Sequence, residues 1–163
     1  MQYRIAILGS GSWATALAKI VLTNQTEINW FIRRQEAIDE FVATGKNPSY
    51  LGMAEFDVSR IHFSTDINKV VSQSDVLILA IPSPYVKQSL NKIRRNMTRK
   101  IVISAVKGMI PDDNMLVTDY LHTRFRIPTE QLGIIAGPCH AEEIALERLS
   151  YLTIGCENID KAN

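Results

Sequence analysis

The stretch of sequence that decides the fold reads Ile5-Ala6-Ile7-Leu8-Gly9-Ser10-Gly11-Ser12-Trp13-Ala14-Thr15-Ala16-Leu17-Ala18 and lies near the start of the chain. A short apolar run leads into the spacing Gly-x-Gly-x-x-Ala and continues directly as a helical pattern of small residues. Gly9 suits a tight turn at the end of a strand, and Gly11, which has no Cβ, lets the backbone approach an anion. Ala14 lets the helix pack closely on the strand.

The order of strand, glycine turn and helix is the setting in which this fingerprint binds a dinucleotide. The first N–H groups of a helix have no partner within the helix, and the helix dipole favours an anion beside them. We therefore expect the pyrophosphate of a dinucleotide at the start of the helix that follows Gly11. The alternative is a glycine turn that holds no ligand.

The composition is typical of a soluble globular protein, and 163 residues suffice for one α/β domain. The formal net charge of +1 predicts neither nucleic acid nor an anionic membrane as a partner. No apolar run is long enough to span a bilayer, and we expect no signal peptide and no disulfide framework. A reducing cytoplasm is the expected location. His62, His122, His140, Cys139 and Cys156 are not spaced as metal ligands, so no metal is expected.

Apolar runs alternate with helical patterns along the whole chain. We expect strands at about residues 4–8, 28–32, 61–63, 76–81, 101–106, 133–136 and 151–156. We expect helices at about residues 12–22, 36–42, 66–71, 85–95, 114–124 and 140–147. Gly45 is the expected C-cap of the second helix, and Ser64 or Thr65 the expected N-cap of the third. The pattern predicts an α/β fold of the Rossmann type, a doubly wound and mainly parallel sheet with helices on both faces; the direction of the last strand stays open.

Ligands of such sheets bind beyond the carboxyl ends of the strands, so the residues that follow each strand are the candidate site residues. Arg33 and Arg34 follow the second strand, where an NAD-selective enzyme usually carries an acidic residue. An arginine there can bind the 2′-phosphate of NADP, although Glu36 keeps NAD open. The alternative for the two arginines is a solvated basic pair at the start of a helix.

Pro82 and Lys107 follow the two most apolar strands. The segment Pro82-Ser83-Pro84-Tyr85 either forms the floor of the nicotinamide site or simply ends the strand before it. Lys107, which is followed by Gly108, is a cation at the ligand edge of the sheet and can act on a substrate phosphate or carbonyl oxygen. The alternative for Lys107 is a surface lysine whose stem packs on apolar neighbours.

The last candidate segment is Gly137-Pro138-Cys139-His140-Ala141-Glu142-Glu143, which follows the sixth strand. Glycine and proline favour a turn, and the helix start beyond it offers free N–H groups to an anion. Cys139 has no evident general base beside it, so we do not expect a reactive thiol. His140 fits a turn or capping residue better than a catalytic base.

Taken together, these segments resemble the NAD(P)-dependent glycerol-3-phosphate dehydrogenases over nearly the whole chain. The matching segments are Gly9-Ser10-Gly11-Ser12-Trp13-Ala14-Thr15-Ala16-Leu17-Ala18, Asn47-Pro48-Ser49-Tyr50-Leu51, Ile81-Pro82-Ser83, Ser104-Ala105-Val106-Lys107-Gly108 and Gly137-Pro138-Cys139-His140-Ala141-Glu142-Glu143. The resemblance implies hydride exchange between a nicotinamide and C2 of dihydroxyacetone phosphate, which gives sn-glycerol 3-phosphate for glycerophospholipid synthesis. It also implies a homodimer for the full-length enzyme.

The resemblance assigns roles to individual residues. The implied cofactor-binding residues are Gly9, Gly11, Ser12, Trp13, Arg33, Arg34, Pro82, Lys107 and Ala141. The implied substrate-binding residues are Lys107, Gly137 and Cys139, and Lys107 is the implied catalytic contact to the carbonyl. In the family a second, helical domain supplies the general acid/base lysine. We therefore expect residues 1–163 to form the NAD(P)-binding domain alone and to be inactive alone.

Some positions depart from the family pattern. Ala14 replaces a usual glycine, Gly52 stands where proline is common, and Cys139-His140 replaces a usual Ser or Thr followed by Phe. Residues 147–156 resemble the eukaryotic, NAD-dependent branch, which leaves the choice between NADP and NAD open. Two other functions remain open at this point: the nucleotide domain of another two-domain NAD(P) reductase, and a non-catalytic NAD(P)-binding sensor domain.

Overall fold

A computed structural model describes residues 3–158 and residue 160. The seven strands are β1 (Ile5–Leu8), β2 (Ile28–Phe31), β3 (Ile61–Ser64), β4 (Val76–Leu79), β5 (Ile101–Ser104), β6 (Leu132–Ala136) and β7 (Thr153–Cys156). The helices are α1 (Ser12–Asn24), α2 (Gln35–Thr44), α3 (Ile67–Gln73), α4 (Ser83–Leu90), α5 (Val117–Phe125) and α6 (Ala141–Ala145), and 3₁₀ turns occupy Val58–Arg60 and Thr129–Gln131.

The strands form one sheet in the order β3-β2-β1-β4-β5-β6-β7. All pairs from β3 to β6 are parallel, and β7 runs antiparallel to β6, which settles the direction that the sequence leaves open. Because β1 pairs with both β2 and β4, the winding of the sheet reverses beside β1. Ligands of doubly wound sheets bind at this switch point, at the carboxyl ends of the strands.

Helices cover both faces of the sheet, as predicted. On one face, Leu17 of α1, Phe41 of α2 and Ile144 of α6 belong to a single buried cluster. On the other face, Val70, Val86 and Leu121 place α3, α4 and α5 in a second cluster. Every residue of β4 is buried, as expected for a parallel strand that is covered on both sides.

The helix after β4 differs from its predicted range of residues 85–95. It begins at Ser83, because Pro84 is tolerated in the first turn of a helix, and it ends at Leu90. The side chain of Asn68 on α3 explains the early end: Nδ2 donates to Lys92 O at 3.1 Å, and Oδ1 accepts from Arg94 N at 2.7 Å. These contacts hold residues 92–94 outside the helix.

The helix after β5 begins at Val117 rather than near residue 114. Ile110 and Met115 pair as an antiparallel bridge, and Asn114 lies in the left-handed region with φ of 47°, so residues 110–115 form a closed loop. The last predicted helix, residues 140–147, is reduced to Ala141–Ala145, since Glu147 has φ of 56°.

The predicted caps have different outcomes. Gly45 ends α2 as predicted, with φ of 68° and its N–H bonded to Phe41 O. The prediction of Ser64 or Thr65 as the N-cap of α3 is wrong, because Asp66 occupies that position and its carboxylate accepts from Asn68 N at 2.8 Å. The strands predicted at residues 76–81 and 101–106 each end two residues earlier than predicted: β4 ends at Leu79 and β5 ends at Ser104.

In the described part of the chain, none of the helices combines the length and the apolar character that crossing a membrane requires.

Candidate functional site

The two glycines of the turn after β1 have different structural requirements. Gly9 has φ of 130°, and a Cβ at this position would collide with the carbonyl oxygen of Ala80, so the fold itself requires glycine here. Gly11 has an ordinary φ of −77°, and a Cβ there would meet no atom of the described residues within 4 Å. The open space beside Gly11 is what a ligand that approaches the backbone needs.

Helix α1 begins directly after Gly11. Among residues 3–158 no side chain caps this end by a hydrogen bond, and the first turn contains no acidic residue. The first N–H groups of a helix have no intrahelical acceptor, and the dipole of a 13-residue helix places partial positive charge beside them. The start of α1 is therefore suited to an anion such as a phosphate.

A cleft of about 340 Å³ opens beside the glycine turn, which is the segment of residues 9–11. We call it the main cleft. Gly9 and Gly11 form one wall, Arg33 beyond β2 forms a second, and Pro82 and Tyr85 at the start of α4 form a third. The structure thus brings together four of the residues that the sequence predicts as cofactor ligands, at the switch point of the sheet.

A smaller, polar cleft of about 130 Å³ adjoins the main cleft and shares Ser10, Arg33 and Tyr50 with it. We call it the side cleft. Arg34 and Asn47 also line it. Both arginines are exposed, and neither forms an ion pair with any residue that the structure describes. The side cleft is therefore a basic recess with two guanidinium groups available to an anion.

Two lysines on and just after α4, Lys87 and Lys92, differ in whether an acidic side chain pairs with them. A hydrogen bond to Asp113 raises the pKa of Lys87, and the two side chains form an ion pair of 2.8 Å between Nζ and Oδ2. Lys92, just beyond α4, lines the cleft and has no such acidic partner among residues 3–158. The lysine that faces the cleft thus keeps its charge available to a ligand.

Lys107 lies beyond β5, next to the start of α1. Its Nζ is 5.0 Å from the centre of the Trp13 ring, which is within the range of a cation–π contact. Lys107 is exposed, whereas Trp13 is half-buried. The structure therefore places the predicted catalytic contact beside Trp13, one of the two predicted ligands of the cofactor phosphates.

The remaining predicted residues lie at the junction of β6 and α6, outside the lining of both clefts. Gly137 has φ of 155°, and a Cβ there would collide with the carbonyl oxygen of Tyr151. The thiol of Cys139 is buried and donates to the same oxygen at 2.7 Å, so it stabilises the turn after β6. His140 precedes α6, but its exposed side chain makes no capping hydrogen bond. Ala141 is buried as the first residue of α6.

Several residues of the clefts, among them Lys92, Asn47 and Tyr50, are not among the predicted site residues, whereas Tyr85 belongs to the segment predicted as the floor of the nicotinamide site. Lys92 lies beyond α4, too far along the chain from β4 for the rule of the carboxyl ends to predict it. Asn47 and Tyr50 belong to the long loop of residues 46–59, whose length alone is typical of functional loops. The position of that loop against the glycine turn depends on tertiary contacts that no local pattern records.

A switch-point cleft, a glycine turn that is open to a ligand and an uncapped helix start together define a dinucleotide-binding domain of the Rossmann type. Comparison with known proteins narrows the class. The family model for the NAD-dependent glycerol-3-phosphate dehydrogenase N-terminus matches residues 4–162, and the chain belongs to this family.

Individual relatives agree with the family assignment. The chain is 29% identical over 163 residues to the glycerol-3-phosphate dehydrogenase [NAD(P)+] of Bacillus pumilus and 30% identical over 161 residues to that of Oceanobacillus iheyensis. Each alignment covers 98% of this chain and 46% of the relative. Among solved structures, the glycerol-3-phosphate dehydrogenase of Plasmodium falciparum superposes with a TM-score of 0.85 at 29% identity, over 98% of this chain and 47% of that one. The chain thus spans about half the length of the relatives it matches.

Proposed function

We propose that this chain binds the dinucleotide, NADP or NAD, across the main and side clefts, as the nucleotide-binding part of a glycerol-3-phosphate dehydrogenase. The observation that carries the proposal is the uncapped start of α1 behind Gly11, where the protein leaves space for a ligand. The N–H groups of Ser12 and Trp13 would bind the pyrophosphate. Residues 1–163 would constitute this NAD(P)-binding domain.

The side cleft supports a further assignment within the same ligand. Arg33 and Arg34 are exposed and unpaired among the described residues, and they line a recess too small for a whole nucleotide. Their guanidinium groups suit a ribose 2′-phosphate as charge-assisted hydrogen-bond donors. We therefore assign the side cleft to the 2′-phosphate of NADP, and Pro82 to the wall of the main cleft that the cofactor contacts.

The reaction proposed for the whole protein joins dihydroxyacetone phosphate and sn-glycerol 3-phosphate. When bound, the nicotinamide would supply a hydride to C2 of dihydroxyacetone phosphate, or accept it in the reverse direction. Lys107 would hold a positive charge near the carbonyl oxygen as negative charge develops there. That oxygen also takes up a proton, and we assign the proton donor to a part of the enzyme other than the clefts described here. Gly137 and Cys139 would border the substrate, and Ala141 the cofactor.

Partners and location complete the proposal. The proposed partner is the small-molecule substrate, with no nucleic acid, because the net charge of +1 provides no basic excess. The two cysteines are free thiols in the structure, which suits the proposed cytoplasmic location. A homodimer is proposed for the full-length enzyme.

Separate titrations of the chain with NADH and with NADPH test the proposal. We expect saturable binding of at least one cofactor, and competition by ADP-ribose, which shares the pyrophosphate. If neither NADH nor NADPH binds, the proposal is overturned.

A further inference from the structure

The carbonyl groups of the glycine turn are all held from the protein side. Trp30 Nε1 donates to Gly9 O at 2.7 Å, and Asn47 Nδ2 donates to Ser10 O at 3.0 Å. Gly11 O accepts from both the N–H and the hydroxyl of Thr15, each at 3.0 Å. Three consecutive peptide groups are thereby fixed through their oxygen atoms.

A trans peptide is planar, and its C=O and N–H bonds point in opposite directions. Each captured carbonyl therefore directs the N–H of the following residue away from its captor. The N–H groups of Ser10 and Gly11 have no acceptor within residues 3–158, and that of Ser12 opens α1. Residues 9–11 line the main cleft, where these N–H groups are available to an anion.

We propose that Trp30 and Asn47 are positioning residues that orient the N–H groups of the glycine turn toward the cofactor pyrophosphate. This inference rests on the proposed function and deepens it. Neither residue contacts the pyrophosphate itself: Trp30 acts on the Gly9–Ser10 peptide, and Asn47 acts on the Ser10–Gly11 peptide.

Trp30 is well placed for this task because its indole is immobilised. The side chain is fully buried, and its ring packs against Phe41, Phe56 and Phe63 at centroid distances of 5.3, 5.7 and 5.8 Å. An indole has a single N–H donor, and in this position it has one acceptor, Gly9 O. The direction of the hydrogen bond is therefore fixed by the aromatic core.

Asn47 is equally constrained, and its amide has one consistent orientation. Oδ1 accepts from the N–H groups of Ser49 and Tyr50 at 3.0 and 3.2 Å, while Nδ2 donates to Ser10 O and, at 2.8 Å, to Thr15 Oγ1. A flipped amide would place oxygen against the carbonyl oxygen of Ser10 and nitrogen against two N–H donors. Asn47 is only 5% exposed, so both ends are needed by the protein.

Loss of the Asn47 donor frees the Ser10–Gly11 peptide to rotate. Rotation would present the Ser10 oxygen to the pyrophosphate and remove the Gly11 donor, so one attraction would be replaced by a repulsion. Since hydrogen bonds to charged groups are among the stronger ones, we expect ADP-ribose to bind about tenfold more weakly or worse.

The test compares Asn47→Ser with Asn29→Ser. A serine at position 47 can still accept from the N–H groups of its own loop, but it is too short to reach Ser10 O. Asn29 offers a matched control, because its Nδ2 donates to Ser74 Oγ at 2.9 Å near the amino ends of the strands, at the opposite edge of the sheet. The measurements are the dissociation constant of ADP-ribose, thermal unfolding, and the amide proton shift of Gly11 at saturation.

We expect Asn47→Ser to weaken ADP-ribose binding and to reduce the ligand-induced shift of the Gly11 amide proton. Asn29→Ser should lower thermal stability without changing either reading. A folded Asn47→Ser variant with unchanged affinity and an unchanged Gly11 shift would overturn the assignment. If wild-type protein does not bind ADP-ribose, the proposed function falls and this inference falls with it. If Asn47→Ser does not fold, Trp30→Phe is tested instead, and the amide proton shift of Ser10 is measured in place of that of Gly11. Weaker ADP-ribose binding and a smaller Ser10 shift would support the assignment, and unchanged values in a folded variant would overturn it.

Discussion

Gly9 and Gly11 show how one residue type serves two purposes within a single turn. For Gly11→Val we expect a folded protein that no longer binds NADH or NADPH, because the branched side chain fills the space that the pyrophosphate needs. The loss of a favourable helix N-cap should cost only about 1 kcal/mol of stability.

Gly9→Ala should instead lower the free energy of unfolding by about 1–3 kcal/mol, because φ of 130° and the Ala80 carbonyl exclude a Cβ.

Urea unfolding and cofactor titration of both variants separate the two effects. Unchanged affinity in Gly11→Val would show that the nucleotide binds elsewhere.

The proposed assignment of the side cleft makes Arg33 and Arg34 the residues that distinguish NADPH from NADH. Replacing both by alanine should weaken NADPH binding by about 1.5–3 kcal/mol, about 10- to 150-fold, while NADH binding changes much less. The control is the double variant of Arg99 and Arg124, which removes the same charge from exposed positions outside both clefts. Equal losses for both cofactors would mean that the arginines do not contact the 2′-phosphate.

At the scale of single residues, sequence reasoning succeeds where a local rule applies. Gly11, Arg33 and Pro82 meet in the main cleft because the carboxyl ends of parallel strands share one edge of the sheet. Trp30 is different: within a strand it reads only as a core residue, and its bond to Gly9 O arises from the pairing of β1 with β2. The position of Asn47 likewise depends on how a long loop folds back.

For the helices and strands, the sequence predicts which elements are present better than it predicts the residues at which they end. All seven strands and all six α-helices, α1 to α6, correspond to predicted elements. Some of their ends depart from prediction because of a distant side chain, as when Asn68 of α3 ends α4. Others depart because of local backbone conformation, as with Asn114 before α5 and Glu147 after α6. Local propensity contains no information about a contact such as that of Asn68.

The cap of α3 provides a test at this scale. Asp66→Ala removes the acceptor of the Asn68 N–H and should lower the free energy of unfolding by about 1 kcal/mol, within the usual range of 0.5–2 kcal/mol. Thr65→Ala is the neighbouring control and should change stability by less than about 0.5 kcal/mol. Urea denaturation of both variants decides, and an equal loss in the two would show that the helix is not capped as described.

For the whole molecule, one ion pair at the amino ends of the strands links stability to pH. Hydrogen bonds that the Arg4 guanidinium donates to the Asp75 carboxylate hold the pKa of Asp75 below its ordinary value, and the distance from Arg4 Nη2 to Asp75 Oδ1 is 2.9 Å. A depressed folded-state pKa means that the carboxylate stabilises the fold above the unfolded pKa of about 3.9. This contribution should disappear as the pH falls through the lower, folded-state pKa.

Asp75→Asn should therefore be less stable than wild type at pH 7, and the difference should shrink in acid. Both side chains are more than a third exposed, so we expect a modest effect, below about 1 kcal/mol. Asp39→Asn, which retains the oxygen that accepts from Gln35, is the control. Thermal unfolding measured from pH 7 to pH 3 provides the comparison, and a difference that grows in acid would contradict the assignment.

The exposure of Lys107 limits what the described molecule can do as a whole. A charge that acts through water stabilises a developing oxyanion weakly, whereas the same charge in a site closed to water acts strongly. Lys107 contacts Trp13 but remains exposed, so nothing in the described chain excludes water around the proposed carbonyl site. We therefore expect this chain alone to bind NADH or NADPH without appreciable turnover of dihydroxyacetone phosphate. Cofactor oxidation, followed by absorbance beside the Bacillus pumilus relative, which is about twice as long, measures this directly. Turnover near the rate of that relative would show that the two clefts and Lys107 suffice for the reaction.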